Sequence, residues 1–396
     1  MIKLTRRAVL ASGALLAAPS IVRAQGSKPI PIGTLTPLTG AGGSYGPVMR
    51  DAVAAVVRQA NAAGGILGRE VKLISEDDQT NPDAGVRATR KLIDADGVAA
   101  IIGTWASSVT TAVAPLCWES KTFLTTVSGA DGITLLPHNG YLVRTQPNSD
   151  LQGRGFAAQV RQIGGRKVAW IGPQTPFAEP TVRSMNRVLG PEGGTVTQTL
   201  YDPAKSSYRS EVDQGLRGGP DIVLAGGFIT DTAVLLRDLY RAGFKGRVIA
   251  FGFAVNGKFA AEQPQEATEG VYALSPSPAI ASAAYKTVAT LLGRTEVDTY
   301  TAQVFDQANL VLLAMALGGD ATGTVVRDSI RRVSQTDGPA VTDVAAGLKA
   351  IAAGAHSLRY DGASGPCRFN DVGDITEARF RIDQVRGGKL VQVGII

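Results

Sequence analysis

Two kinds of apolar pattern alternate along the chain from residue 25 onward. Short runs of consecutive apolar residues, typical of buried strands, occur at residues 30–36, 71–75, 98–102 and 123–126. Between them, apolar residues recur at helical spacing, as in residues 47–63. Strands that alternate with helices predict a mainly parallel sheet covered on both faces. Right-handed crossovers would bring the loops that follow the strands to one edge, where open sheets bind ligands.

A second unit of the same kind begins near residue 145, and mostly helical patterns follow residues 271–274. The late helices have no sheet of their own to cover. We therefore expect the chain to return to the first unit near residues 271–274 and to the second near residues 356–361. This order predicts an α/β protein of two lobes joined by three crossings, with a cleft between them. Lobe 1 is predicted to comprise residues 25–145 and 273–356, and lobe 2 residues 146–272 and 357–396.

The stretch of residues 98–111, VAAIIGTWASSVTT, combines a buried strand, a glycine stop at Gly103 and a helix that opens at Ser107 and Ser108. A strand that leads into a helix N-terminus points unpaired backbone N–H groups at one place, and the helix dipole adds partial positive charge there. We expect a ligand carboxylate to bind at this place. The alternative is that Ser107 or Ser108 only caps the helix.

The first 24 residues have the features of an export signal. Lys3, Arg6 and Arg7 form a basic start, and residues 8–22 are apolar but too few to span a bilayer comfortably. Small residues then predict cleavage near Ala24. The segment resembles a twin-arginine signal, with an ordinary secretory signal as the alternative. We expect a soluble mature protein in the periplasm.

The charge balance changes once this signal is removed. The full chain carries 40 Lys and Arg against 34 Asp and Glu, and four of the basic residues lie within residues 1–24. The remainder carries 36 against 34, a net charge of +2 in place of +6. This balance gives no support to nucleic-acid binding. Cys117 and Cys367 form either a disulfide or two buried free thiols, and we adopt the second interpretation.

Candidate catalytic chemistry is sparse. Residues 42–46, GGSYG, match the G-x-S-x-G pattern of a serine hydrolase with Ser44 as nucleophile, but the preceding strand ends too early for a nucleophile elbow. His138 and His356 are the two histidines, and neither has a marked acidic partner. The sequence contains no P-loop and no G-x-G-x-x-G after a strand. We expect no enzyme activity, no metal and no cofactor.

Several short motifs are spaced as in a known family. They are Pro37-Leu38-Thr39-Gly40 with Tyr45-Gly46, AAGGILG at residues 62–68, Asp77-Asp78, Ile102-Gly103 with Ser107-Ser108, Arg144-Thr145, Asp150 with Gln152-Gly153, Ala225-Gly226-Gly227 and Gly365-Pro366. In this order, the chain resembles the leucine/isoleucine/valine-binding protein family over residues 29–396. The resemblance implies a type I periplasmic-binding-protein fold that closes by a hinge around an amino-acid-like ligand. It also implies delivery to the permease and ATPase subunits of an inner-membrane ABC importer, and we expect a monomer.

The resemblance places the ligand in the cleft between the lobes. Ser107 falls where the family contacts the ligand carboxylate, and Tyr45 falls on an aromatic residue of the first loop. The other implied positions are Ser128 and Ala130 after the fourth strand, Phe177 and Phe228 in the second lobe, and Tyr300 on a later helix. The alternative for each of these side chains is ordinary packing in the cleft.

One departure from the family changes the expected ligand. Amino-acid members place a carboxylate against the ligand ammonium, but the matching residues 250–253, AFGF, contain no acid. The hydroxyl that helps to hold the ammonium falls near Ala130, where the adjacent Asp131 is a possible substitute. A buried unpaired ammonium would cost several kcal/mol. We therefore expect a small carboxylate or amide without an α-amine.

The body of such a ligand would stack among four aromatic side chains, namely Tyr45, Trp105, Phe177 and Phe228. A receptor for branched-chain amino acids proper and a ligand sensor for a membrane receptor are the alternatives.

Overall fold

The structure is a computed structural model that describes residues 28–335 and 337–396. The predicted export signal lies outside these residues. The strands are β1 Ile30–Thr36, β2 Val71–Asp77, β3 Ala100–Gly103, β4 Phe123–Thr126, β5 Leu142–Arg144, β6 Lys167–Pro173, β7 Thr195–Tyr201, β8 Ile222–Ala225, β9 Arg247–Phe251, β10 Tyr272–Pro276, β11 Ala340–Val341, β12 Arg359–Tyr360, β13 Phe380–Arg386 and β14 Lys389–Ile395. The helices are α1 Gly46–Ala62, α2 Pro82–Arg90, α3 Ser107–Glu119, α4 Ser149–Gln162, α5 Ala178–Leu189, α6 Arg209–Leu216, α7 Ile229–Arg241, α8 Gly257–Glu262, α9 Gln265–Thr268, α10 Ala283–Leu291, α11 Thr299–Gly318, α12 Gly323–Ser334 and α13 Val344–Ala352.

Lobe 1 is built on a five-stranded parallel sheet in the order β2-β1-β3-β4-β5. Its central strands β3 and β4 are buried at every position, because helices cover both faces of the sheet. The register pairs Gly33 with Ile101 and Leu124 with Leu142, so the strands point the same way. The loops that follow β1, β3 and β4 therefore meet at one edge.

Lobe 1 also takes up helices from late in the chain. Residues 299–315 of α11 are all buried, and this helix runs through the centre of the lobe 1 core. No single helix within the described residues is long and apolar enough to span a membrane. By length and composition, α11 and α12 reach that threshold only as a pair, which is bent by 103°.

Lobe 2 is built on a seven-stranded sheet in the order β14-β13-β10-β9-β8-β6-β7. Strands β6 to β10 are parallel, whereas β13 pairs antiparallel with β10 and β14 pairs antiparallel with β13. Two apolar clusters pack on this sheet, one with α4 and α5 and the other with α6 and α7. The predicted α/β architecture of two lobes joined by three crossings is confirmed.

Two of the three crossings lie later in the chain than the predicted boundaries. The predicted boundary at residue 273 falls inside β10, which pairs with β9 and β13 in lobe 2, so the chain leaves that lobe only after Pro276. The predicted boundary at residue 357 falls within lobe 1, because Phe369 is buried in the lobe 1 core and Asp374 pairs with Arg144. A strand pattern does not reveal which of two sheets the strand will join, and the irregular residues 361–379 have no periodicity that marks a lobe.

The two cysteines are buried and free. Cys117 lies on α3, whereas Cys367 lies before the third crossing with its Sγ 3.8 Å from Asp306 Oδ2. Burial raises the pKa of Cys117 to about 12 and keeps this thiol protonated. The interpretation as free thiols is confirmed, and the disulfide alternative is wrong.

Candidate functional site

The loop after β3 is held in a strained conformation at the sheet edge. Gly103 has φ of 105° and Thr104 has φ of 70°, and a positive φ is rare for a β-branched residue. Thr104 N donates to Leu35 O at 2.7 Å. The carbonyl oxygen of Thr104 accepts hydrogen bonds from the hydroxyls of Thr126 at 2.9 Å and Ser128 at 3.3 Å. These buried hydrogen bonds keep the strained loop, and with it the start of α3, in one position.

Helix α3 begins at Ser107, so its first backbone N–H groups lie at the edge of the sheet. Ala106 occupies the N-cap position, so neither Ser107 nor Ser108 caps the helix and the capping alternative is wrong. The first helical bond runs from Thr110 N to Ala106 O. In the described part of the chain, the N–H groups of Ser107 and Ser108 have no acceptor. Two donors and the positive end of the helix dipole therefore face one place, which suits a carboxylate.

A cavity of about 130 Å³ lies at this helix N-terminus, between the lobes. It is lined by Thr80, Trp105, Ala106, Ser107, Ser108, Val127, Gly129, Gln146, Gln152, Pro173, Thr175, Phe177, Gly226, Phe228, Phe251, Phe253 and Tyr300. Five residues predicted for the site are thus brought together here, namely Trp105, Ser107, Phe177, Phe228 and Tyr300.

Aromatic rings from both lobes form the walls of this cavity. The Trp105 ring of lobe 1 lies with its centroid 5.6 Å from that of Phe228 and 5.4 Å from that of Phe253, both in lobe 2. Tyr300 on α11 meets Trp105 edge-on at 5.7 Å. Behind Phe253, the Phe251 ring stacks at 4.9 Å. A flat apolar group in the cavity would touch both lobes at once.

Apolar, hydroxyl and amide side chains line the cavity. Among residues 28–335 and 337–396, no Asp, Glu, Lys or Arg lines it. Asp131, the suggested substitute for the missing family hydroxyl, instead accepts a hydrogen bond from Asp150 N at 3.2 Å, and burial raises its pKa. The polar groups that remain are hydroxyls and amides. They can receive a carboxylate at the α3 terminus but offer no counter-charge to an ammonium.

The structure places Tyr45 behind the cavity wall and not on it. Its ring stacks against Trp105 with centroids 6.0 Å apart. Its hydroxyl crosses between the lobes, donates to Phe253 O at 2.8 Å and accepts from Asn256 Nδ2 at 3.2 Å. Burial raises the pKa of Tyr45, so the phenol keeps the proton that it donates. Tyr45 therefore connects the lobes, and it lines a neighbouring cavity of about 250 Å³.

Ser128 and Ala130 lie beside the cavity without lining it. Ser128 is fully buried, and its hydroxyl donates to Trp105 O at 3.0 Å. Ala130 N donates to Ser107 Oγ at 3.2 Å, which leaves the Ser107 hydroxyl hydrogen free to meet a ligand. Between them, Gly129 forms part of the wall. The loop after β4 thus supports the site chiefly through its backbone.

Arg144 holds the loop after β4 in place by a hydrogen bond to its backbone. It is fully buried, its Nη1 donates to Ala130 O at 2.6 Å, and its Nη2 donates to Asp374 Oδ1 at 2.6 Å. Asn148 Nδ2 also donates to Asp374, at 3.2 Å. Arg144 ends β5 just before the first crossing between the lobes, and Asp374 lies shortly before the third. The site loop and the hinge are therefore joined through one buried ion pair.

The wall contains residues that the sequence did not assign to ligand contact, among them Thr80, Gln146, Gln152, Thr175, Phe251 and Phe253. Residues 250–253 were placed at the site only for the acid that they lack. Five of the six residues follow a strand of a parallel sheet closely or end one. Thr80 comes after β2, Gln146 after β5, Thr175 after β6, and Phe251 and Phe253 lie at or just after the end of β9. The rule that ligands bind at the carboxyl ends of parallel strands would have found these five. Gln152 lies inside α4, where no strand end marks it.

Ser44, the candidate nucleophile, does not lie on a tight turn from a strand to a helix. Ser44 is exposed in a turn before α1, and a short 3-10 turn at Gly40–Gly42 separates it from β1. Within the described chain, Ser44 makes no hydrogen bond to a histidine, and His138 Nδ1 instead accepts from Gly140 N at 3.2 Å. No group of three or more His, Cys, Asp or Glu residues suited to a metal ion occurs in that part of the chain.

The fold and the cleft together define a two-lobe solute-binding protein, and solved structures share this fold. A leucine-binding protein LivK from Thermotoga maritima superimposes with a TM-score of 0.78 at 20% identity, covering 93% of this chain and 98% of that one. A solute-binding protein of an ABC transporter from R. palustris, in complex with benzoate, gives 0.74 at 18% identity, covering 93% and 96%.

The chain belongs to the periplasmic binding protein family, whose family model matches residues 29–388. It is 24% identical over 366 residues to Leu/Ile/Val-binding protein homolog 3 of Brucella melitensis, which covers 91% of this chain and 93% of the relative. The resemblance to leucine/isoleucine/valine-binding proteins is thereby confirmed.

Proposed function

We propose that this protein is a periplasmic receptor for a small aromatic carboxylate without an α-amine, which it delivers to an ABC importer of the inner membrane. Residues 1–24 would direct export and be removed near Ala24. The protein acts by binding, as a monomer and without a catalytic step or cofactor.

The proposal rests mainly on one observation, which is that a helix N-terminus opens into an uncharged cavity with aromatic walls. The free N–H groups of Ser107 and Ser108 provide donors for a carboxylate, and each hydrogen bond to a charged group contributes about 1.5–3 kcal/mol. No carboxylate lines the described wall to balance an ammonium. Burying that charge unpaired would offset much of the gain.

The size of the cavity favours a single ring. Its volume is about 130 Å³. An apolar protein cavity of about 150 Å³ accommodates benzene. Rings such as Trp105, Phe228 and Phe253 would contact the faces and edges of an aromatic ligand, which adds to the gain from apolar burial.

Closure of the two lobes follows from the same contacts. Trp105, Ser107 and Tyr300 would hold the ligand from lobe 1, while Phe228 and Phe253 would hold it from lobe 2. A ligand that touches both lobes binds the closed arrangement better than the open one, and this difference in affinity drives closure. The closed form is the one that would dock on the permease.

The two similar solved structures fit both this proposal and the alternative of a receptor for branched-chain amino acids. The R. palustris protein was solved with benzoate, whereas the Thermotoga maritima protein is a leucine-binding protein. The uncharged wall favours the first kind of ligand over a branched-chain amino acid.

Calorimetry on the purified chain from residue 25 onward, with benzoate, a branched-chain keto acid and leucine, tests the proposal. We expect benzoate to bind and leucine to bind at least 100-fold more weakly, since two log units correspond to about 2.7 kcal/mol of unpaired charge. Tight binding of leucine, with no response to benzoates or keto acids, would establish the amino-acid alternative instead.

A further inference from the structure

We infer that Phe253 limits the ligand to a single ring, because its side chain separates the site from a second cavity that could hold another ring. The inference rests on the proposed function, since it concerns how long a ligand the same site accepts. The second cavity is the one of about 250 Å³ that Tyr45 lines. Four residues line both cavities, namely Gln152, Phe251, Phe253 and Tyr300. The two cavities are therefore neighbours that share a wall.

The shared wall is a partition of aromatic rings. Trp105 lines the first cavity and Tyr45 lines the second, and the two rings stack on one another with centroids 6.0 Å apart. Tyr300 meets both rings edge-on, with its centroid 5.7 Å from that of Trp105 and 5.5 Å from that of Tyr45. The Phe253 ring meets Trp105 edge-on at 5.4 Å. These contacts place a continuous layer of rings between the two cavities.

Phe253 is the part of this partition that lobe 2 supplies. Trp105, Tyr45 and Tyr300 belong to lobe 1, so the partition is complete only while the lobes are together. The hydrogen bond from the Tyr45 hydroxyl to Phe253 O, at 2.8 Å, joins its two halves. A ligand that reached past Phe253 would lie between these halves and hold them apart. Such a ligand would bind the open arrangement and lose the affinity that closure contributes.

The volumes of the two cavities indicate where a second ring would go. The first cavity has about 130 Å³ and is too small for two rings, since benzene alone fits a cavity of about 150 Å³. The second cavity has about 250 Å³, which is enough for one more ring. Its charged residues are paired or open to solvent: Arg381 Nε donates to Asp383 at 2.9 Å, Asp298 is the N-cap of α11, and Glu296 is exposed. Removal of the Phe253 ring would therefore join the two cavities into one site for a two-ring carboxylate, with no unpaired charge to bury.

Calorimetry with benzoate, 3-phenylbenzoate and 4-phenylbenzoate tests the inference, because the two longer acids direct their second ring along different lines. The unchanged protein should bind both phenylbenzoates about 100-fold or more weakly than benzoate, since the second ring prevents closure. In Phe253→Ala, at least one phenylbenzoate should have a Kd within about tenfold of the benzoate Kd. Phe253→Leu, which keeps part of the side chain, should give an intermediate ratio of the two Kd values.

Two control variants separate loss of the ring from a general loosening of the protein. Phe244→Ala replaces another half-buried phenylalanine of lobe 2, near the start of β9, and should keep the ratio of the unchanged protein. Tyr45→Phe deletes the hydrogen bond to Phe253 O but keeps its own ring in the partition, so it should weaken all three acids alike.

Three results would overturn the inference and leave the proposed function standing. They are similar Kd values for benzoate and a phenylbenzoate in the unchanged protein, a ratio that Phe253→Ala does not alter, and a ratio that falls as far in either control. Failure of all three acids to bind the unchanged protein would overturn both the inference and the proposed function.

Discussion

A methyl group added at residue 129 would clash with two side chains of the opposite lobe at the wall of the cavity. Gly129 lies in lobe 1, and a Cβ built on it would lie 2.7 Å from Phe177 Cε2 and 2.8 Å from Gln152 Nε2, both in lobe 2. Ordinary van der Waals contacts begin at 3.4 Å. In Gly129→Ala, the lobes must therefore separate by several tenths of an ångström, or the Phe177 ring must turn away.

The clash raises the free energy of the closed arrangement of the two lobes. Overpacking by one methyl group costs about 1–3 kcal/mol. Each lobe can keep its own fold, because the clash is between lobes and Gly129 does not have a left-handed backbone that excludes alanine. If the ligand binds the closed arrangement, as we propose, the cost appears as a Kd about fivefold to 100-fold higher.

Titration calorimetry with benzoate, together with thermal unfolding of the ligand-free protein, measures both expectations. Gly132→Ala is the matched control, because a Cβ at Gly132 meets nothing within 4 Å. We expect Gly132→Ala to bind like the unchanged protein and Gly129→Ala to bind more weakly, with similar unfolding midpoints for both. A Gly129→Ala protein with unchanged Kd would refute the reasoning, because it would mean that the bound state does not contain this contact between the lobes.

Three further substitutions test separate parts of the structure. Ser107→Ala should raise the benzoate Kd about tenfold or more with little change in unfolding, since a hydrogen bond to a charged group contributes about 1.5–3 kcal/mol; an unchanged Kd by calorimetry would mean that backbone N–H groups alone hold the carboxylate. Tyr45→Phe keeps the stacked ring but deletes the 2.8 Å bond to Phe253 O, so ligand dissociation in stopped flow should accelerate up to about tenfold, and an unaltered rate would contradict a role in closure. Burial raises the pKa of Asp78 to about 6, above its value in the unfolded chain, so the stability contributed by this carboxyl is present below about pH 4 and is lost as pH rises through about 6. Asp78→Asn should therefore be more stable than the unchanged protein by on the order of 2 kcal/mol at pH 7, and similar to it in stability near pH 4. Urea unfolding measures both values, and the same difference in stability at both pH values would refute this expectation.

Much of the fold was predictable because secondary structure depends on neighbours in the chain. The apolar runs at β1 to β4 and the helical spacing between them are local features, and they determined the parallel sheet and the edge where the site lies. The start of α3 at Ser107 was visible for the same reason. The features of an export signal in residues 1–24 could also be read directly from the sequence. The same is true of the absence of an acid at residues 250–253.

The tertiary structure decided which distant residues meet. The bond from Tyr45 to Phe253 joins residues 208 positions apart, and the bond from Gln303 to Gln146 joins residues 157 apart. No local pattern encodes such pairs, because they depend on how the two lobes pack and on where the crossings fall. For the same reason Ser128, which the family resemblance placed beside the ligand, is a buried residue that supports the loop after β3. The sequence by itself thus determined the lobes and a helix terminus suited to a carboxylate, whereas only the packing of one lobe on the other decided the shape, the polarity and the hydrogen-bonding groups of the cavity.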